Sequence, residues 1–282
     1  MNDLKQRIQE KAKALNVDLI GFAAKDRFTG LDPQHDPFSI FPEGHTVILV
    51  GQMIPRGALR GLEEGTNTDA YGQFGYSWLD NQFVAQATYD IVRFIEDEGW
   101  EACPIFPNPL STTAWGVPVA PGRAAPNVTP DFDYAAVACG LGALGLNQEI
   151  LTPSLGHRQR FQMIITDAEI PSDSLPQENP CDNCGACAAA CPLKAINAEQ
   201  KSIRTVCSKQ FELAEVNFEL CKKCTNGGMT NRLHHSGKPD RYAAACNRAC
   251  MAALEARGIG GKYQNAFGTD RKWTKDRSGK LL

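Results

Sequence analysis

Cys181-Asp-Asn-Cys184-Gly-Ala-Cys187-Ala-Ala-Ala-Cys191-Pro192 reads C-x2-C-x2-C-x3-C-P. That spacing lets three thiolates from one tight loop occupy three corners of a 4Fe–4S cubane. The fourth cysteine is aimed at a different cluster, and the proline suits a first helical turn. Cys207, Cys221, Cys224, Cys246 and Cys250 follow the run, which puts nine of the 11 cysteines between 181 and 250. A chain in a reducing compartment has little use for disulfides, so such a concentration reads as metal ligation. Two cubanes take four thiolates each, and this module offers nine. By the crossed logic of the run, the first cluster takes Cys181, Cys184, Cys187 and Cys250. The second takes Cys191, Cys207, Cys246 and one of Cys221 or Cys224. Zinc on the knuckles Cys181/Cys184 and Cys221/Cys224 is the competing reading, but it leaves Cys187, Cys191, Cys246 and Cys250 idle.

The rest of the composition bounds the setting. The chain has 282 residues, 43% hydrophobic and 22% charged, which excludes disorder, collagen and coiled coil. At roughly 150 residues per domain that length implies two domains, or one core with an embedded module. A net charge of -3 supplies no basic field for a phosphate backbone, so nucleic acid is not an expected partner. No run reaches the ~18 apolar residues that span a bilayer, and the charged start MNDLKQRIQEKAKALN lacks a secretory apolar region. The expectation is a soluble, cytoplasmic protein with no membrane partner.

Leu4, Ile8, Ala12 and Leu15 recur at helical spacing, and 18–22 and 45–51 have strand patterns. A second amphipathic helix covers 82–98 and stops at Gly99. Strands alternating with helices predict an α/β domain over the first two-thirds. From Cys103 to Pro130 the prolines preclude regular structure, and Trp115 and Val117 give this loop something to bury, so it is expected to line a site. Tyr134–Cys139 and Arg160–Asp167 read as strands bracketing a glycine turn. From Pro180 a separate cysteine-rich module begins. The basic stretch from Gly258 to Leu282 is expected to wrap over the body as a tail.

Gly140-Leu-Gly142-Ala-Leu-Gly145 is a literal G-x-G-x-x-G, with Asp167 downstream. A dinucleotide site also needs a helix after the third glycine, and Pro153 and Gly156 interrupt that segment. The glycines are better read as a close backbone approach to another large cofactor or to the cluster module. Arg158 and Arg160 are candidates to hold cofactor phosphates or amides, with a satisfied strand-edge pair as the plain alternative. Tyr71, Tyr76 and Trp78 read equally as a cofactor floor or as packed aromatics. His234 and His235 lie among glycines and read as loop residues, and Cys139 reads as core.

In order along the chain, Ala138–Asn147, Leu151-Thr-Pro-Ser-Leu-Gly156, Ile164-Ile-Thr-Asp167 and the cysteine run resemble epoxyqueuosine reductases and the C-terminal part of corrinoid reductive dehalogenases. The resemblance implies a mixed α/β (α+β) fold. A nitroreductase-like domain (1–175) would hold cobalamin, a bacterial-ferredoxin-like module (176–257) would carry the two 4Fe–4S clusters, and the tail (258–282) would pack on the body. It further implies a cytoplasmic reductase that takes electrons from a ferredoxin or flavodoxin, passes them through both clusters to the cobalamin, and reduces a small-molecule substrate. Gly140, Gly142, Gly145, Arg158 and Arg160 would then face the corrin. Asp131, Asp133 and Tyr134 are the candidate proton donors. The alternative is an electron carrier, or an activator of corrinoid proteins, without its own cobalamin. Two departures stand out. The family's closing C-x2-C-x3-C-P appears here as Ala243-x2-Cys246-x3-Cys250-Met251, so Cys221 or Cys224 is expected to replace the missing ligand. The helical-repeat extension of many tRNA-acting members has no counterpart, which sets tRNA epoxyqueuosine aside as the expected substrate.

Overall fold

Leu4, Ile8 and Ala12, spaced one helical turn apart, are all buried along α1 (Asn2–Ala14), as a single apolar stripe requires. They pack with Ile91, Val92 and Ile95 of α3 (Ala85–Asp97) onto Phe22, Ile48, Val50 and Ile164 of a sheet. The structure is a computed structural model, and it describes residues 2–108, 114, 116–231, 237–267 and 273. Trp115, His234, His235 and the charged residues Asp270, Arg271, Lys272, Lys275, Asp276, Arg277 and Lys280 lie outside that set.

The chain divides into two units, the first comprising 1–52, 79–141 and 160–176. Its sheet has the order β1 (Leu19–Ala24), β2 (Thr46–Met53), β6 (Gln159–Thr166), β3 (Ala102–Ile105). The β1–β2 and β3–β6 pairs are antiparallel. Alternation of strands and helices predicts parallel crossovers; these pairs follow the α+β form instead. The fold is a mixture of helix and sheet. Contrary to the expectation that regular structure is precluded from Cys103 onward, Cys103–Ile105 belong to the edge strand β3, where the missing N–H of Pro104 costs least.

One sequence expectation is overturned here. Tyr134–Ala138 is not a strand but the body of α4 (Phe132–Ala138). The Asp131 carboxylate caps it by accepting from the Tyr134 N–H at 2.8 Å, and the alanines that follow are strong helix formers. All of 134–138 is buried, and a short apolar run has no periodicity to separate strand from helix. Cys139 is core, with 0% exposure. In the proline loop, Val117 is 78% exposed, contrary to the expectation that it is buried. The later part of the loop is held by the 34–35 segment, through Gln34 Nε2 to Asn127 O at 3.0 Å and Thr129 N to Gln34 O at 3.0 Å.

The second unit comprises 53–78, 142–159 and 177–282. It contains α2 (Arg60–Glu63), the hairpin β4–β5 (Ala143–Leu144, Ile150–Leu151) and α5 (Ala186–Ala190). The hairpin β7–β8 (Ile196–Val206, Lys209–Val216), α6 (Phe218–Cys221) and α7 (Ala245–Ala256) follow. The Ala214 N–H donates to Leu146 O at 2.8 Å and ties the two hairpins together. Buried ion pairs stitch the early segment to α7: Arg248 to Glu63 at 2.7 Å and Arg56 to Glu255 at 2.7 Å. Residues after α7 pack on the same unit. Gly260 O accepts from Arg158, Asn265 O from Arg56, and the Trp273 indole donates to Leu62 O at 3.0 Å.

Candidate metal centres

The cysteine run bends because two non-helical residues allow it. Asn183 (φ 59°) and Gly185 (φ 72°) both adopt left-handed backbone, and α5 starts immediately after. The bend folds the loop over a cavity of about 310 Å³, open mouth included, lined by Cys181, Cys184, Cys187 and Cys250. The Leu146 N–H donates to Cys181 Sγ at 3.3 Å. A second cavity of about 350 Å³, measured likewise, is lined by Cys191, Cys221, Cys224 and Cys246. Here the Ala195 N–H donates to Cys191 Sγ at 3.2 Å.

The two cavities divide these cysteines between them. Cys187 and Cys191, on and just after α5, line different cavities, and so do Cys246 and Cys250 on α7. A step of four helical residues is about 6 Å, so the two cavities are neighbours along α7.

The second set differs from the sequence expectation in one member. Cys207 sits in the turn between β7 and β8, at φ 52°. The cavity end of that hairpin is the Ile196↔Val216 pair and the far end is Val206↔Lys209. Seven residues of β8 at ~3.3 Å each separate them by about 23 Å, far beyond a metal–thiolate bond of about 2.3 Å. Cys221 and Cys224 both line the second cavity. The signal was in the sequence: Asn217 caps α6 by accepting from the Leu220 N–H at 3.1 Å, and the Cys224 N–H bonds Cys221 O at 3.0 Å. This turn brings a C-x2-C pair to one side, as in the first half of the run.

Burial makes these thiols reluctant to ionise alone. Desolvation, reinforced by neighbouring thiols, pushes Cys187 up to about 11. Desolvation likewise pushes Cys246 up to about 12, although Arg241 opposes it. Four thiolates in one such cavity call for a cationic partner that all of them share. Among the described residues no three His, Cys, Asp or Glu side chains are arranged to hold a metal ion; the thiols ring cavities instead. A ring of four thiols around a space, with backbone N–H groups aimed at sulfur, fits the ligand sphere of a cubane.

The residues expected around a corrin are occupied differently. Gly140 (φ 74°) lies so close to Ser174 O that no side chain would fit. A Cβ on Gly142 would meet Leu151 O at 2.5 Å, and one on Gly145 would meet the Leu151 side chain at 3.0 Å. These glycines therefore serve close approaches within their own unit, and no helix follows the third one, which disposes of a dinucleotide fingerprint. Arg158 is 1% exposed and donates to the carbonyls of Ile54 and Gly260. Arg160 lies 4.0 Å from Asp80. Asp131 is the cap of α4, Asp133 lies in its first turn, and the Tyr134 hydroxyl donates to Arg27 O at 2.7 Å. Tyr71 is buried and donates to Asp240, whereas Trp78 is 41% exposed.

Compared with known proteins, the chain is related to reductases of two kinds. No family model matches it. Over 136 residues it is 29% identical to a tetrachloroethene reductive dehalogenase of Dehalobacter restrictus, covering 47% of this chain and 21% of that one. Over 75 residues it is 36% identical to an epoxyqueuosine reductase of Synechococcus, covering 26% and 23%. In fold it resembles a reductive dehalogenase described for B12-dependent dehalogenation (TM-score 0.57, 15% identity, 87% of this chain and 31% of that one). It also resembles the epoxyqueuosine reductase of Streptococcus thermophilus (TM-score 0.53, 16% identity, 94% and 69%). The match spans about a fifth of the dehalogenase sequence. Its homologues and structural neighbours thus include reductive dehalogenases and epoxyqueuosine reductases. Among the described residues no helix is long and apolar enough to cross a membrane.

Proposed function

We propose that the chain is an iron–sulfur reductase in which Cys181, Cys184, Cys187 and Cys250 hold one 4Fe–4S cluster and Cys191, Cys221, Cys224 and Cys246 hold another. The observation that carries this reading is the division of eight thiols into two rings of four, with α7 contributing one cysteine to each. When bound, the clusters supply one-electron storage. The chain's own residues position the thiols and aim the N–H groups of Leu146 and Ala195 at sulfur. The electron source is a cytoplasmic ferredoxin or flavodoxin, the electron acceptor is a cobalamin in a nitroreductase-like first unit, and the final substrate is a small organic molecule. Kinship with dehalogenases, one of them described as B12-dependent, supports the cobalamin. The five residues expected to face a corrin are engaged within the protein and add no support of their own.

That same observation favours a second reading, an electron carrier or corrinoid-protein activator with two clusters and no cobalamin. Gly142 and Arg158 are spent on Leu151 and on backbone carbonyls. Anaerobic reconstitution followed by iron analysis and titration with cobalamin separates the cases. About eight irons per chain with a cobalamin spectral change supports the reductase. About eight irons without the change supports the carrier, and a value near four overturns both.

A further inference from the structure

The two cavities differ in their cations. Arg257 lines the first, and each of its nitrogens has an acceptor: Nε at Ala253 O, Nη1 at Asp182 and Nη2 at Pro180 O. Arg241 lines the second and is 2% exposed. Its Nη2 donates to Glu149 Oε1 at 2.5 Å and to Asn147 O at 2.9 Å, and its guanidinium lies 5.2 Å from the Phe218 ring centroid. Its Nε and Nη1 meet no acceptor among the described residues. Buried donors of a charged group are rarely left unmet, and an orphan asks for the partner that completes it. The cavity beside this one is ringed by four thiols, so the natural acceptors are sulfurs.

We infer that Arg241, through Nε–H and Nη1–H, donates to the sulfurs of the second cluster and raises its reduction potential. This rests on the two-cluster reading. Reduction adds one electron to the cluster and no proton, so negative charge grows on its sulfurs. N–H donors aimed at them stabilise the reduced form more than the oxidised one. Glu149 largely cancels the net charge of the guanidinium, which leaves the directional N–H dipoles as the acting element. Glu149 and Asn147, on the loop between β4 and β5, hold the group in place. Arg241 is thus a positioning residue for electron transfer, and Arg257, its nitrogens already taken, leaves the first cluster without an equivalent.

The test uses reconstituted holoprotein, potentiometric titration with dithionite and mediators, and paramagnetic resonance to follow each cluster. The variant is Arg241→Gln with Glu149→Gln, which removes the guanidinium without stranding a buried carboxylate. The second cluster should become at least tenfold harder to reduce, about 59 mV for one electron, while the first keeps its potential. An unmoved second cluster overturns the inference. Should the double variant lose that cluster, wild-type protein grown on 15N-arginine decides the matter. A nitrogen coupling to the reduced second cluster upholds the inference and its absence overturns it. If wild-type protein carries only about four irons, the two-cluster reading fails first, an outcome distinct from either.

Discussion

Replacing Cys207 by alanine should leave both clusters intact. The residue is one of nine thiols in the module, and only the hairpin geometry removes it from the ligand set. Val206 pairs with Lys209 at the turn and Ile196 with Val216 at the base, and Ile196 lines the second cavity. Seven residues at ~3.3 Å put the turn about 23 Å from the base, ten times a metal–thiolate bond of about 2.3 Å. Cys207→Ala holoprotein should therefore retain about eight irons and both paramagnetic signals. Cys221→Ala and Cys224→Ala should each fall towards about four irons and lose the same signal. Stability offers a second readout. Cys207 holds a φ of 52°, a conformation that costs a side chain roughly 1–2 kcal/mol and glycine nothing. Glycine's extra unfolded-state freedom offsets about 0.5–1 kcal/mol of this, so Cys207→Gly should raise stability by up to ~1.5 kcal/mol in denaturant titrations. If Cys207→Ala halves the iron while Cys224→Ala leaves it whole, the assignment of ligands from the cavities is wrong.

Cys187→Ala and Cys191→Ala should extinguish different paramagnetic components, because these cysteines line different cavities; loss of one common component would refute the crossing. Asp131→Asn should keep the cap of α4 and near-native stability, whereas Asp131→Ala should lose about 1 kcal/mol. A proton-donating Asp131 would instead show Asn as damaging to turnover as Ala. His157 is 1% exposed, and burial pushes its imidazole down to about 3 from an unfolded value of 6.5. The unfolded chain thus takes up a proton that the folded chain refuses: the contribution is full above pH ~6.5 and falls by about 1.4 kcal/mol per pH unit below it. His157→Phe, which keeps a ring against Tyr242, should flatten that part of the stability curve between pH ~6.5 and ~5, and parallel curves for the two proteins would refute the burial argument.

The division of thiols was legible because ligand spacing is a local property. Cys181 and Cys184 in one loop, Cys187 on α5 and Cys191 just after it are close in sequence. Pro192 follows that helix rather than opening one as the sequence suggests. The apolar stripe of α1 was readable for the same local reason. The assignment of Cys207 failed because hairpin length, not spacing, decides how far a turn lies from the base, and the sequence does not announce which strand end faces the cavity. Tyr134–Ala138 failed for a different reason. All five side chains are buried, so neither period of two nor period of 3.6 shows, and the decisive cue was the capping Asp131 just ahead. The glycines at 140, 142 and 145 match a pattern whose meaning depends on the element before and after. Here α4 precedes them and a two-residue strand, β4, follows.

What replaced the missing ligand shows how the second cavity can be completed without the usual closing motif. Ala243 stands where that motif would put a cysteine, and it is fully buried with its carbonyl held by Arg248. The insertion between β8 and α7 instead brings α6 to the cavity, with Asn217 fixing its first turn and Phe218 lying against Arg241. Cys221 ends that turn and Cys224 follows it, so one capped segment delivers two sulfurs. In the two-cluster reading these two sulfurs stand in for a cysteine at 243 and for Cys207. Four thiols are kept around the second cavity by a local turn rather than by a distant hairpin. The same segment carries the ring beside the buried guanidinium, so one stretch of chain supplies both thiols and part of the electrostatic environment of the second cavity.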